Sequence, residues 1–249
     1  MKKVLTLTAA LLTLCASLSL ASGLNLSITG TAALADCWAG LPSSATTFAC
    51  NSNTGSAFVC IGSVIPATDV NHFISASVVV DIQVTGASLP PWWQTLSGQC
   101  RQSAISLSFD PSGLGVSCVP LWATNPTPIQ TVQNGVNGPN RVRVLGIAAV
   151  LPADEQVVLA DGTEYAVFKL NVARSKTIGA APCAGCNTGA AIVLNEVKLG
   201  QPAGAPGGDE RITNQADNYC NTFQAGAPVC PGATPTHNRT WGAVKSLYR

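Results

Sequence analysis

The adjacent indoles Trp92 and Trp93, set in the segment LPPWWQ, are the side chains best suited to recognising a ligand in this sequence. Two flat rings on a proline-stiffened loop offer the faces on which a sugar stacks, because aromatic side chains present large area at low conformational cost. Trp38, Trp122 and Tyr219 are candidates to extend such a platform. The competing reading is a hydrophobic plug, with the Pro-Pro-Trp-Trp corner closing one end of the core. The pair Cys183 and Cys186, in CAGC, has the spacing of redox dithiols and of half a zinc site. A strand pattern follows it instead of a helix, and Cys220 and Cys230 are too far apart to complete a second CxxC. A structural disulfide is therefore expected, with no metal and no cofactor.

Hydrolytic chemistry finds little support. The chain has two histidines, His72 and His237, and no G-x-S-x-G elbow. Its acids are scattered over turns and strand faces. Asp81 is expected to pair across strands with Arg141 or Arg143 on a sheet surface. Asp154/Glu155 and Asp209/Glu210 are loop carboxylates without an EF-hand pattern. No catalytic residue is assigned, and a non-enzyme is expected. Asn25 and Asn238 begin glycosylation sequons.

Ten cysteines make disulfides the main covalent question. Pairing sequence neighbours gives Cys37–Cys50, Cys100–Cys118, Cys183–Cys186 and Cys220–Cys230. Cys60 then remains as a buried thiol in an apolar strand. Residues 1–23 carry the marks of a signal peptide: Lys2 and Lys3, an uncharged apolar run from Val4 to Leu20, then Ala21, Ser22 and Gly23. Cys15 follows Leu14 and so lacks the small neighbour of a lipoprotein site. Without the leader, 11 basic residues face 12 acidic ones. A near-neutral chain has no electrostatic footprint for nucleic acid, and no second apolar span follows.

The elements that must position these residues are strands. Phe73 to Val84 places Ile74, Ala76, Val78, Val80, Ile82 and Val84 on one face at a period of two, with β-branched residues throughout. Similar patterns cover Leu24–Thr29, Ala57–Val64, Ser103–Phe109, Thr163–Val172 and Ala191–Leu199. Arg141–Val150 is a strand whose apolar face changes partway along. Thr124 to Gly138, rich in Thr, Asn, Pro and Gly, reads as a long surface loop. The fold expected is all-β, a predominantly antiparallel sandwich over residues 24–200. Residues 201–249 are expected to form a loop-rich extension packed on that domain, with a short helix near Asn238. The few charges imply a surface covered mainly by Ser, Thr, Asn, Gln and Gly.

Several segments carry a resemblance. LNLS with Cys37, LPPWWQ…CR at 89–101, GPNRVRV at 138–144, CAGC…AIVLNEVKL at 183–199 and NRTWGAVKSLYR at 238–249 resemble a group of uncharacterised secreted bacterial proteins. The likeness runs over nearly the whole mature chain and implies export, with no activity or ligand attached. Members carry a further cysteine just before the IVLN stretch, where this chain has Ala190 and Ala191. That departure sets against Cys183–Cys186 an alternative in which Cys60 is a partner. The function expected is surface contact, as an envelope or adhesion-type module in the extracellular space or periplasm. The sequence leaves the partner unknown, with a polysaccharide and a cell-surface protein as the candidates, and a carbohydrate-binding module using Trp92 and Trp93 is the alternative.

Overall fold

The computed structural model describes residues 22–29, 48–55, 57–110, 119–151, 158–216, 219–224 and 226–230. Among these residues eleven strands form two sheets. The smaller contains β1 (Gly23–Thr29), β2 (Phe58–Ile65), β8 (Tyr165–Val172) and β4 (Ile105–Ser108) in that order, with β5 (Val119–Pro120) parallel to β8. The larger runs β10 (Glu210–Ile212), β9 (Ala190–Gly200), β3 (Ser75–Val84), β7 (Arg141–Ala149) and β6 (Thr127–Asn134). β11 (Cys220–Phe223) also pairs with β9. Every pairing except that of β5 is antiparallel. The architecture is the antiparallel sandwich expected from the strand periods.

β3 lies inside the larger sheet, between β7 and β9. Its even residues Ala76, Val78, Val80, Ile82 and Val84 are buried, each at 1% exposure or less. Burying one such aliphatic side chain is worth about 1.5–3 kcal/mol, so this row fixes which face of the sheet meets its partner. From β7 come Val142, Val144 and Ala148, and from β8 Phe168, Leu170 and Val172, all without exposed surface.

Two elements differ from the sequence reading. Thr127–Asn134 is a strand, not part of a loop, and pairs along its length with β7 from Thr127↔Ala149 to Asn134↔Val142. It lies at the sheet's edge, where five consecutive residues from Thr127 are exposed. No buried face imposes an alternation there, and Pro128 is tolerated on an edge. β10 and β11 lie beyond residue 200 yet complete the larger sheet, and Phe223 is fully buried. The segment expected as an appended extension thus supplies part of the core. Residues 1–21 of the leader and the tail helix near Asn238 fall outside the described residues, while Gly23, the leader's last residue as read, begins β1. No helix among the described residues is long and apolar enough to cross a membrane.

Among the described residues three disulfides are formed, and they correct the neighbour pairing. Cys50 bonds Cys186, Cys100 bonds Cys183, and Cys220 bonds Cys230, while Cys60 is a free, buried thiol. These bonds exclude Cys37–Cys50, Cys100–Cys118 and Cys183–Cys186. The sandwich brings together loops far apart in sequence, spanning 136 and 83 residues for the two long-range bonds. The turn at 183–186 faces two such loops at once, so its cysteines diverge. Cys37 and Cys118 themselves lie outside the described residues.

Candidate functional site

Trp92 and Trp93 sit on a single 3-10 turn, Pro91–Trp93, and both are 0% exposed. Stacking a sugar needs an open ring face, so the platform reading is corrected: these indoles are core. Trp92 lies parallel to Phe223 with ring centres 5.5 Å apart, and Trp93 meets the same ring edge-on at 5.2 Å. Phe48 packs 5.8 Å from Trp92, and Phe58 stands 5.1 Å from Phe223. The Trp92 amide donates to Ala184 O at 2.9 Å and its indole Nε1 to Thr177 Oγ1 at 3.3 Å. Trp122 is also buried, against Phe73, and Tyr219 is half-buried. Trp38 lies outside the described residues.

Arg101 is the polar centre of this cluster and was not singled out as a site by its sequence context. It is 1% exposed, and its guanidinium lies 3.5 Å over the Trp92 ring. Nη1 donates to Trp92 O and Nε to Ser175 O, both at 2.8 Å, and Nη2 donates to Ala173 O. Burial lowers its pKa to about 10, which leaves it charged near neutral pH. The planar fork satisfies three carbonyls that no strand reaches, a structural task for which arginine geometry is suited.

The remaining sequence candidates are also taken up by structure. Cys183 and Cys186 are consumed in separate disulfides, so no redox dithiol exists at CAGC. Burial pushes the Cys60 thiol far up, away from reactive thiolate. Asp209 pairs with Lys198 at 2.6 Å, and the Lys198 hydrogen bond, with the Gln201 amide, holds its carboxyl below the ordinary range. Glu210 accepts from Ala67 N and Thr68 Oγ1. Among the described residues no group of three His, Cys, Asp or Glu side chains is placed to hold a metal. Asp154 and Glu155 lie outside them. Asn25, a sequon residue, is 2% exposed and donates to Glu164 Oε1, which closes it to a glycan.

What stays open is the outward face of the larger sheet. Core residues on β7 are its even positions throughout, so the apolar face does not switch. Instead the outward row itself turns apolar after Arg143, with Leu145 and Ile147. Ile147 stands opposite Ile129 on β6 and Ser77 on β3, and Leu145 opposite Thr131 and Val79. Ile129 is 69% and Ile147 45% exposed. A shallow depression of about 280 Å³ runs between these side chains. Toward β9 and β10 the face becomes charged: Arg143 grips Asp81 with Nε and Nη2, each at 2.7 Å, and Arg211 meets Glu196 at 2.6 Å. The Asp81 hydrogen bond raises the Arg143 pKa. This face was hidden in the sequence because β6 read as loop. The available signal was the run of apolar residues at both parities in β7.

No protein-family model and no curated protein sequence matches the chain. Among solved structures it is similar to a cohesin module from a Clostridium perfringens ATCC13124 family 33 glycoside hydrolase. The two share 12% identity over 83% of this chain and 99% of that one, with a TM-score of 0.30. A likeness that weak says nothing of activity or partner.

Proposed function

We propose that this is an exported, non-catalytic β-sandwich that works by surface contact, as an envelope or adhesion-type module, and that it meets its partner through the outward face of β3, β7 and β6. The observation that carries the reading is the apolar cluster of exposed Ile129 and Ile147 with half-buried Leu145 and Val79, bordered on one side by ion pairs. An apolar centre with a charged rim is the anatomy of a protein–protein contact, and an exposed apolar patch costs solubility unless it is covered in use. A protein partner fits better than a sugar, since every described aromatic ring except half-buried Tyr219 is buried. Three disulfides fit an oxidising compartment, and the leader-like start of the chain agrees with export.

The test is binding of the purified protein to isolated cell envelopes, with and without protease treatment, compared with Ile147→Asp and Ile129→Asp. Protease-sensitive binding that both substitutions abolish, with unchanged melting, supports the reading. Binding that persists in both variants removes this face from the proposal, and absence of any envelope binding removes the contact function.

A further inference from the structure

The free edge of β6 is a hydrogen-bonding surface, an observation independent of the apolar face beside it. Gly135 N donates to Arg141 O at 2.8 Å, and the same register continues through β6 and β7. In an antiparallel pair the residues exchanging hydrogen bonds alternate with those that do not. Thr127, Ile129, Thr131 and Gln133 therefore turn their peptide groups toward β7. Pro128, Gln130, Val132 and Asn134 turn theirs outward. The parity of β3 and β7 agrees, since Val84 N donates to Asn140 O and Val150 N to Ile74 O.

Both edges of the smaller sheet carry cover. On β1, Leu24 N donates to Asn214 O, Leu24 O accepts from Ala216 N, and Leu26 O accepts from Asn221 Nδ2. On β4, the outward amide of Leu107 donates to Gln130 Oε1 at 2.6 Å. Among the described residues β6 has no such cover, and its sequence TPIQTVQN contains no charged residue. Exposed edges are ordinarily blunted by charge, and here the sole device is Pro128.

We propose that β6 pairs antiparallel with β6 of a second copy of this chain about a two-fold axis. The alignment that fits places Gln130 opposite Asn134 of the second copy, Val132 opposite Val132, and Asn134 opposite Gln130. Each pair exchanges two hydrogen bonds, and all the outward donors are used. Pro128, which has no donor, falls beyond the ladder. A two-fold contact sets each strand against its own copy, so a β6 carrying charge of one sign would meet that sign again across the axis. The uncharged strand meets that requirement, whereas a foreign strand would not need it.

The test uses the full mature protein in sedimentation and backbone hydrogen exchange over a concentration series. A concentration-dependent dimer is expected, with the amides of Gln130, Val132 and Asn134 gaining protection of about tenfold or more as it forms. Thr131→Lys/Gln133→Lys and Thr131→Glu/Gln133→Glu should each be monomeric with near-native melting, and an equimolar mixture should restore the dimer. A wild type that stays monomeric at all concentrations overturns the proposal. So does a dimer that neither variant weakens, or protection of these amides that appears only when cell envelopes are added.

Discussion

Replacing Arg101 by methionine should cost about 3 kcal/mol of folding stability, and the figure can be worked from its contacts. The guanidinium makes three charge-assisted hydrogen bonds, to Trp92 O, Ser175 O and Ala173 O. At roughly 1.5 kcal/mol each these amount to about 4–5 kcal/mol. Stacking on Trp92 at 3.5 Å adds about 1–2 kcal/mol. Against this stands the cost of burying the cation. The lowering of its pKa to about 10 corresponds to about 3 kcal/mol, an upper limit because solvent screens part of it. Methionine fills much of the same volume and relieves that cost, but it leaves three buried carbonyls without a donor. Lysine keeps the charge yet has neither the fork nor the flat face, so Arg101→Lys should be no better than Arg101→Met. The sign of the pH dependence follows from the lowered pKa. The folded protein sheds this proton before the unfolded chain does, so the burial cost is constant near neutral pH and fades only above about pH 10. Urea unfolding under non-reducing conditions measures the loss as a lower midpoint at unchanged slope. A methionine variant within about 0.5 kcal/mol of wild type, the range of a surface substitution, would refute the reasoning.

Removing Cys50–Cys186 or Cys100–Cys183 as a paired alanine substitution should cost roughly 4–5 kcal/mol each, and removing the ten-residue Cys220–Cys230 closure about 2–3 kcal/mol; relative melting temperatures check the order. Gly62→Ala puts a methyl group into the Phe168 ring and should destabilise by about 1–3 kcal/mol, with partial rescue in a Phe168→Leu background, again read by urea unfolding. Cys60 should resist thiol reagents in the native protein and react only on unfolding, since burial disfavours its thiolate; labelling followed by mass spectrometry measures this. Lys198→Ala should raise the Asp209 pKa toward the ordinary carboxylate value, seen in an NMR titration. The stabilisation this pair gives is present above the ordinary carboxylate pKa and is lost as pH falls through the lowered one.

The β-sandwich was legible wherever a strand has one face in the core. The even row of β3 and the alternation of β8 announce themselves because burial imposes the period. β6 was not legible, because an edge strand exposed on most of its residues is under no such constraint. The same gap hid the candidate contact face, which exists only once Ile129 is placed opposite Ile147. Trp92 and Trp93 show a different limit. Their residue types fit a ligand platform and a plug equally, and Phe223, the ring that decides between them, lies 130 residues further along the chain. The long-range disulfides fail for the same reason, since loop proximity is a product of topology and not of spacing.

The amide side chains complete this picture. Composition places Asn and Gln on the surface of a charge-poor chain, yet several, from buried Gln224 to exposed Asn53, act as substitutes for missing strand neighbours. Gln224 accepts from Phe48 N and donates to Phe48 O, the pair of bonds an adjacent peptide would make. Asn53 accepts from Thr177 N and Ile178 N and donates to Ile178 O. Asn140 donates to Val84 O and Gly86 O. A primary amide carries the same donor and acceptor as a peptide group, so it closes a backbone where no strand is available, without the desolvation cost of a charge. Gln130 does this for β4 from its place on β6. Among the described residues no amide side chain returns the service to the outward peptides of β6. Among the described residues, amide side chains close backbone on β1 and β4 while the outward peptides of β6 are left uncovered, which is the ground for the proposed pairing of β6 with its own copy.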